Sequence, residues 1–146
     1  MTSFFDGVGG VFLFSEDPKA LAEWYASNFG FTFSGAESVY QMMVYLDPEE
    51  PTRQCNFHFA IMKAKVPVPR RAVPNPEPAE AEEMYGDQPM MLNLRVRSLD
   101  DAAAHLATNG VTIIRRDDLD YGKFAWARDL DGNRVELYES IPGAFG

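Results

Sequence analysis

At 146 residues, with 46% hydrophobic and 24% charged side chains, the chain has the size and balance of one globular domain with a buried core. Its net charge of −9 repels nucleic-acid backbones and anionic lipid, and no apolar run nears the ~20 residues that span a bilayer. Nucleic acid and membrane are therefore excluded as expected partners.

Residues 1–14 carry no Lys or Arg, and Glu16 and Asp17 follow, a pattern unlike a secretory signal. A run of Gly10–Phe14 then reads as a first strand. Asp17 has the chemistry of a helix N-cap, Pro18 suits the first helical position, and Gly30 suits the left-handed stop. Leu21, Trp24, Tyr25 and Phe29 supply one apolar stripe at helical period. Strands are expected after Gly30, over Val39–Leu46 and over Cys55–Met62, the last two framing the turn Asp47–Pro51. Cys55 is the sole cysteine, so no intrachain disulfide can form. The expected setting is a reducing cytoplasm, with Cys55 a buried, inert thiol.

Residues 63–89 form a proline-rich stretch, with Pro67, Pro69, Pro74, Pro76, Pro78 and Pro89 denying donors to any sheet. It is basic at first (Lys63, Lys65, Arg70, Arg71) and acidic later (Glu77, Glu80, Glu82, Glu83, Asp87). It reads as an extended connector with solvated charge, the sharper alternatives being a lid or an arm reaching a partner subunit.

The second half repeats the first. Gly10–Asp17 aligns with Met91–Ser98, Ala22 with Ala103, Tyr25 with Leu106, and Gly30-Phe31 with Gly110-Val111. Ser98-Leu99-Asp100-Asp101 resembles a capping box, and Ala102, Ala103, Leu106 and Ala107 are the expected buried face of the helix it opens. The β-branched run Val111–Ile114 suggests the next strand. Phe124–Arg128 and Arg134–Glu139 frame Asp129-Leu130-Asp131-Gly132-Asn133, a hairpin turn in which Gly132 and Asn133 tolerate positive φ. Each half thus reads as βαβββ. The expected architecture is a single α+β domain over 1–146 whose two modules form a curved, partly open mixed sheet around a shared cleft. Module one spans about 6–62, the linker about 63–89, and module two about 90–140.

Ser15–Tyr25 with Phe29-Gly30-Phe31, Leu94-Arg95-Val96 through Asn109-Gly110-Val111, Tyr121–Trp126, and above all Asp129-Leu130-Asp131-Gly132-Asn133-Arg134-Val135-Glu136-Leu137 are similar to the vicinal oxygen chelate superfamily. That superfamily comprises glyoxalases, bleomycin-resistance proteins and extradiol dioxygenases, and the resemblance spans most of the chain outside the linker. It implies paired βαβββ modules, a homodimer and, in metal-dependent members, a divalent ion held by His and carboxylate ligands. By position, the first-strand ligand place falls on Gly10 and its counterpart on Met91 or Leu92. The fourth-strand place falls near His58 and the eighth-strand place on Glu136. Gly10 and Leu92 offer no donor and Met91 only a thioether, so no metal or other cofactor is expected; a divalent metal on His58 and Glu136 is the alternative.

Glu136 alternates with Val135 and Leu137 and so shares a face with Arg134 and Tyr138; in an apolar cleft its pKa would rise, fitting it to act as a general base. His58 shares its face with Asn56 and Ala60. Phe12 and Phe14 project with Gly10, which leaves room beside them. Asn93 shares a face with Met91 and Arg95, and Trp126 with Phe124. The ligand-binding candidates are therefore His58, Asn93, Phe12, Phe14, Met91, Trp126 and Tyr138. Met42, Met43, Met90 and Met91 suggest an adaptable lining, and His105 falls on the polar face of the second helix. No phosphate-cradling glycine loop, nucleophile elbow or zinc-type Cys/His spacing is present. The leading reading is a small-molecule binder of the glyoxalase/bleomycin-resistance type. The alternatives are a divalent-metal lyase or dioxygenase and a protein-interaction scaffold working through the linker.

Overall fold

The computed structural model describes residues 4–67, 84–86 and 88–144. Most of the proline-rich linker, including its basic Arg70 and Arg71 and all its acidic side chains, lies outside the described residues. The chain divides into two compact units, Met1–Val68 and Pro69–Gly146.

In the first unit, β1 (Gly10–Ser15) leads into α1 (Pro18–Phe29), followed by β2 (Tyr40–Leu46) and β3 (Gln54–Lys63). The helix begins where the sequence says: Asp17 accepts from the Ala20 N–H at 3.1 Å, and Pro18 occupies the first position. It ends at Gly30, whose φ of 75° permits a bond from its N–H to the Ala26 carbonyl at 3.0 Å. The sheet runs β1-β3-β2, with β1 parallel and β2 antiparallel to β3. Leu21 and Tyr25 of α1 are buried with Val11, Phe59 and Ile61, and the Tyr25 and Phe59 rings meet edge to face at 5.8 Å.

The strand expected after Gly30 does not form. Phe31 and Phe33 stack at 5.5 Å, and Phe31 packs on Phe59 at 4.7 Å. The Thr32 N–H is taken by the Gln41 side chain at 2.7 Å in place of a ladder partner. Only Ser34 bridges to Tyr40 before Gly35 (φ 89°) and Ser38 (φ 56°) turn the chain. Cys55, expected to be buried, is half-buried beside Tyr45.

The second unit contains β4 (Leu92–Arg95), α2 (Leu99–Thr108), β5 (Arg115–Leu119), β6 (Gly122–Arg128) and β7 (Arg134–Ser140), with the sheet in the order β4-β7-β6-β5. Ser98 caps α2 by accepting from the Asp101 N–H at 3.2 Å. Leu99 and Leu106 are buried with Ala125, Ala127, Val135 and Leu137; Ala107, expected on that face, is exposed. Val111–Ile114 is not a strand because the Val111 N–H closes the helix end on the Leu106 carbonyl at 2.9 Å. The ladder starts at Ile114, whose N–H reaches the Trp126 carbonyl at 2.8 Å, so the paired strand is the charged Arg115–Leu119.

The β6–β7 turn is built around one buried carboxylate. Asp129 accepts from the Asp131 and Asn133 N–H groups, both at 2.9 Å, and from the Asn133 amide at 3.1 Å. Only Gly132 (φ 83°) takes the left-handed conformation; Asn133 does not. Each sheet is thus covered by its own helix on one face, and the side chains of interest lie on the other. The second unit shows the full βαβββ order, and the first shows the same order with a single bridge in place of one strand.

Candidate functional site

In the first unit, strand register fixes which side chains share the face opposite α1. Gly10 is opposite His58, Phe12 opposite Ala60, and Phe14 opposite Met62; across β2, Met42 is opposite His58, Tyr40 opposite Ala60, and Val44 opposite Asn56. Phe12, Phe14, Met42, Val44 and Met62 are 40–54% exposed, whereas Phe59 on the other face is 1% exposed. His58 stands half-buried in this apolar field. Its Nδ1 lies 2.6 Å from the Tyr40 hydroxyl, and the two rings are nearly parallel with centroids 5.8 Å apart. Neither Tyr40 nor the exposed Val44 and Met62 stood out in the sequence. Alternation puts them on this face only once the β2–β3 register is known.

Gly10 was expected to leave room beside the phenylalanines. The reason for the glycine is different. A Cβ there would come within 2.3 Å of the His58 backbone carbonyl oxygen, so the close approach of β1 to β3 requires the missing side chain.

In the second unit, the face opposite α2 carries Asn93, Glu136 and Trp126 as cross-strand neighbours, with Arg95, Tyr138 and Phe124 in the next row. Glu136 is buried and both of its oxygens are engaged. Oε1 accepts from the Tyr85 hydroxyl in a short bond, and Oε2 accepts from the Asn93 amide at 2.6 Å. Trp126 is buried beneath the edge-on Tyr85 ring, and its indole N–H makes no hydrogen bond of ordinary geometry among the described residues. Phe124 stacks on Tyr138 at 5.3 Å, extending the aromatic wall. The register therefore puts Trp126 and Phe124 on the same side as Glu136. Met91 precedes β4 and is half-buried. His105 lies exposed on α2, within 3.3 Å of Asn109.

Tyr85 was not legible as a site residue because it falls in the linker. The described part of that stretch clasps β7. Met84 is buried and accepts from the Arg134 guanidinium at 3.1 Å, while the Gln88 amide exchanges two 2.9 Å bonds with the Arg134 backbone. Burial of its hydroxyl, then the bond to Glu136 and the carboxylate charge, push the Tyr85 pKa well above the ordinary tyrosine value. Tyr85 is thus a persistent donor at neutral pH.

These donors do not suit a divalent ion of the kind the metal-dependent members hold. Gly10 cannot accept a side chain without moving β3, Leu92 faces α2 with Val135, and both oxygens of Glu136 already serve neutral donors. Among the described residues, no three His, Cys, Asp or Glu side chains converge.

Two sheets of this topology, each with its helix and a tight Asp-centred turn before the last strand, define a glyoxalase-like fold. The chain belongs to the Glyoxalase/Bleomycin resistance protein/Dioxygenase superfamily, which it matches over residues 7–137. Among solved structures it is similar to a glyoxalase/dioxygenase from Nostoc punctiforme, with a TM-score of 0.61 and 14% identity over 97% of this chain and 99% of that one. It is also similar to a glyoxalase/bleomycin resistance protein/dioxygenase from Nocardioides, with a TM-score of 0.57 and 17% identity over 97% and 88% of the two chains. A third likeness is to TnmS3, an antibiotic binding protein from Streptomyces sp. CB03234, with a TM-score of 0.55 and 13% identity over 96% and 100%. No curated protein matches the chain. No helix among the described residues is long and apolar enough to cross a membrane.

Proposed function

We propose that the protein binds a small, partly apolar organic molecule through the sheet faces opposite its helices, without a metal ion. The observation that carries this is the row Phe12, Phe14, Met42, Val44 and Met62, large apolar side chains held open to solvent on one strand-ordered surface. Soluble proteins seldom leave such a row uncovered, and a surface of this kind with a few fixed polar groups is what an organic ligand needs. In the second unit, the half-buried Phe124 and Tyr138 rings offer an aromatic wall, backed by the buried Trp126 and bordered by Asn93 and Glu136. The antibiotic-binding member among the structural relatives keeps company with this reading. Glu136 stays the candidate base of its face, with the Tyr85 hydroxyl hydrogen-bonded to it.

A thermal-shift screen of small hydrophobic and aromatic compounds tests the proposal. A ligand present at 100 times its Kd stabilises the native state by about 2.7 kcal/mol. No stabilisation by any such compound, or a stoichiometric transition metal in protein purified without chelator, would overturn it. The same reading takes the protein as a cytoplasmic homodimer, which suits the lone Cys55. Sedimentation as a 16.4 kDa species at micromolar concentration would refute the dimer.

A further inference from the structure

We infer that Tyr40 and His58 form a hydrogen-bonding pair that presents the His58 Nε2–H to the ligand, so that this face selects apolar molecules carrying a neutral carbonyl-type oxygen. The inference rests on the binding role proposed above for the face opposite α1 and assigns the ligand class to it.

The argument starts from the protons. A phenol hydroxyl donates readily, and the imidazole nitrogen lone pair is the stronger acceptor of the two groups. The Tyr40 hydroxyl has no other hydrogen-bond partner among the described residues. If His58 donated through Nδ1 instead, the tyrosine proton would have no acceptor among the described residues. Donation from Tyr40 to Nδ1 satisfies both groups and leaves the proton of the neutral imidazole on Nε2. The ring is held by the 2.6 Å bond and by the nearly parallel Tyr40 ring, so Nε2 points in a fixed direction. That nitrogen has no partner among the described residues.

The surroundings then select the acceptor. Met42 is directly opposite His58 on one side, and on the other side Gly10 has no side chain to cover the imidazole. Phe12 follows in the next row. A carboxylate brought to this apolar field would lose hydration with no Lys or Arg on the same face to replace it, since the residues paired around His58 are Tyr40, Met42, Val44, Asn56, Ala60 and Met62. A ketone, quinone or amide oxygen attached to a hydrocarbon body loses far less and gains one well-aimed donor.

The test uses 1-indanone and indane, which differ by one carbonyl, with binding followed by calorimetry and NMR. Wild type is expected to bind 1-indanone about fivefold to tenfold more tightly than indane, the worth of one net hydrogen bond. His58→Leu should bring the ratio to about one, and His58→Gln, which keeps a donor, should restore part of it. Nitrogen-15 spectra read the proton directly, because the chain has two histidines and His105 lies on α2. Neutral His58 should carry its proton on Nε2 alone, and Tyr40→Phe should shift the Nδ1 resonance as its bond is lost. A protonated Nδ1 in the neutral form, or equal binding of both compounds by wild type, overturns the inference while leaving the binding role intact. Failure of wild type to bind either compound overturns both.

Discussion

Gly10 and His58 are direct partners in the parallel β1–β3 pair, and a Cβ on Gly10 would lie 2.3 Å from the His58 carbonyl oxygen. The contact is with backbone, so no side-chain rotation relieves it. Gly10→Ala is expected to cost about 1–3 kcal/mol, the range for overpacking a filled site. Gly10→His, which would place a ligand where metal-dependent relatives are expected to have one, should cost at least as much and gain no metal. Urea unfolding and elemental analysis of the two variants check both statements.

Glu136 is buried with two neutral donors and no ion-pair partner among the described residues, so each donor matters more than it would at the surface. Asn93→Leu is expected to cost about 1.5–3 kcal/mol, the range for a hydrogen bond to a charged group. In Glu136→Leu the carboxylate is gone, and the same Asn93 change should cost much less. A double-mutant cycle by urea denaturation should therefore return a favourable coupling energy; strict additivity would show the Asn93–Glu136 bond to be unimportant.

Helix ends and the last turn were readable because their chemistry is local. Asp17, Gly30, Ser98 and Asp129 each satisfy backbone groups within a few residues. The two caps and the glycine stop follow the sequence, whereas the Asp129 carboxylate's role in the turn was not legible there, and only Gly132 of the pair Gly132-Asn133 takes positive φ. The alternation around Glu136 and Trp126 was equally plain, and the register puts both on one face. What the sequence hid is what depends on distant partners. Gly10 answers to a carbonyl on β3, Tyr40 meets His58 only through the β2–β3 register, and Tyr85 reaches Glu136 from a stretch whose prolines advertise a linker. The two misplaced strands have the same origin. The Gln41 side chain takes one backbone donor after Gly30, and the end of α2 takes another after Gly110.

Tyr85 gives the alkaline limb of stability a specific cause. Its folded pKa is raised above the unfolded value of about 10, first by desolvation and then by Glu136. Below that pH both states hold the proton and the contribution is complete. Above it the unfolded chain releases the proton first, so stability falls as pH rises. Because about half of Tyr85 is exposed, solvent screening keeps the slope shallow. Tyr85→Phe should be less stable at pH 8, having lost the bond to Glu136, yet fall less steeply between pH 9 and 11. Parallel slopes in the two proteins, measured by urea midpoints, would remove Tyr85 from the account.

Phe12 and Phe59 lie on opposite faces of adjacent strands, and that difference separates binding from stability. Phe59 is enclosed by the Tyr25, Phe31 and Phe33 rings, so Phe59→Ala should cost about 3–5 kcal/mol through lost burial and the cavity left behind. Phe12 is 52% exposed, and Phe12→Ser should change stability by no more than about 0.5 kcal/mol. If the face opposite α1 is a ligand surface, the same serine should weaken any compound found by thermal shift about tenfold, the effect of losing one well-packed apolar side chain. A Phe12→Ser protein that binds as tightly as wild type would mean that this aromatic ring is only solvent-facing bulk. Large destabilisation would mean instead that Phe12 is already covered in solution, as a dimer contact would do, and repeating the measurement across protein concentrations tells the two apart.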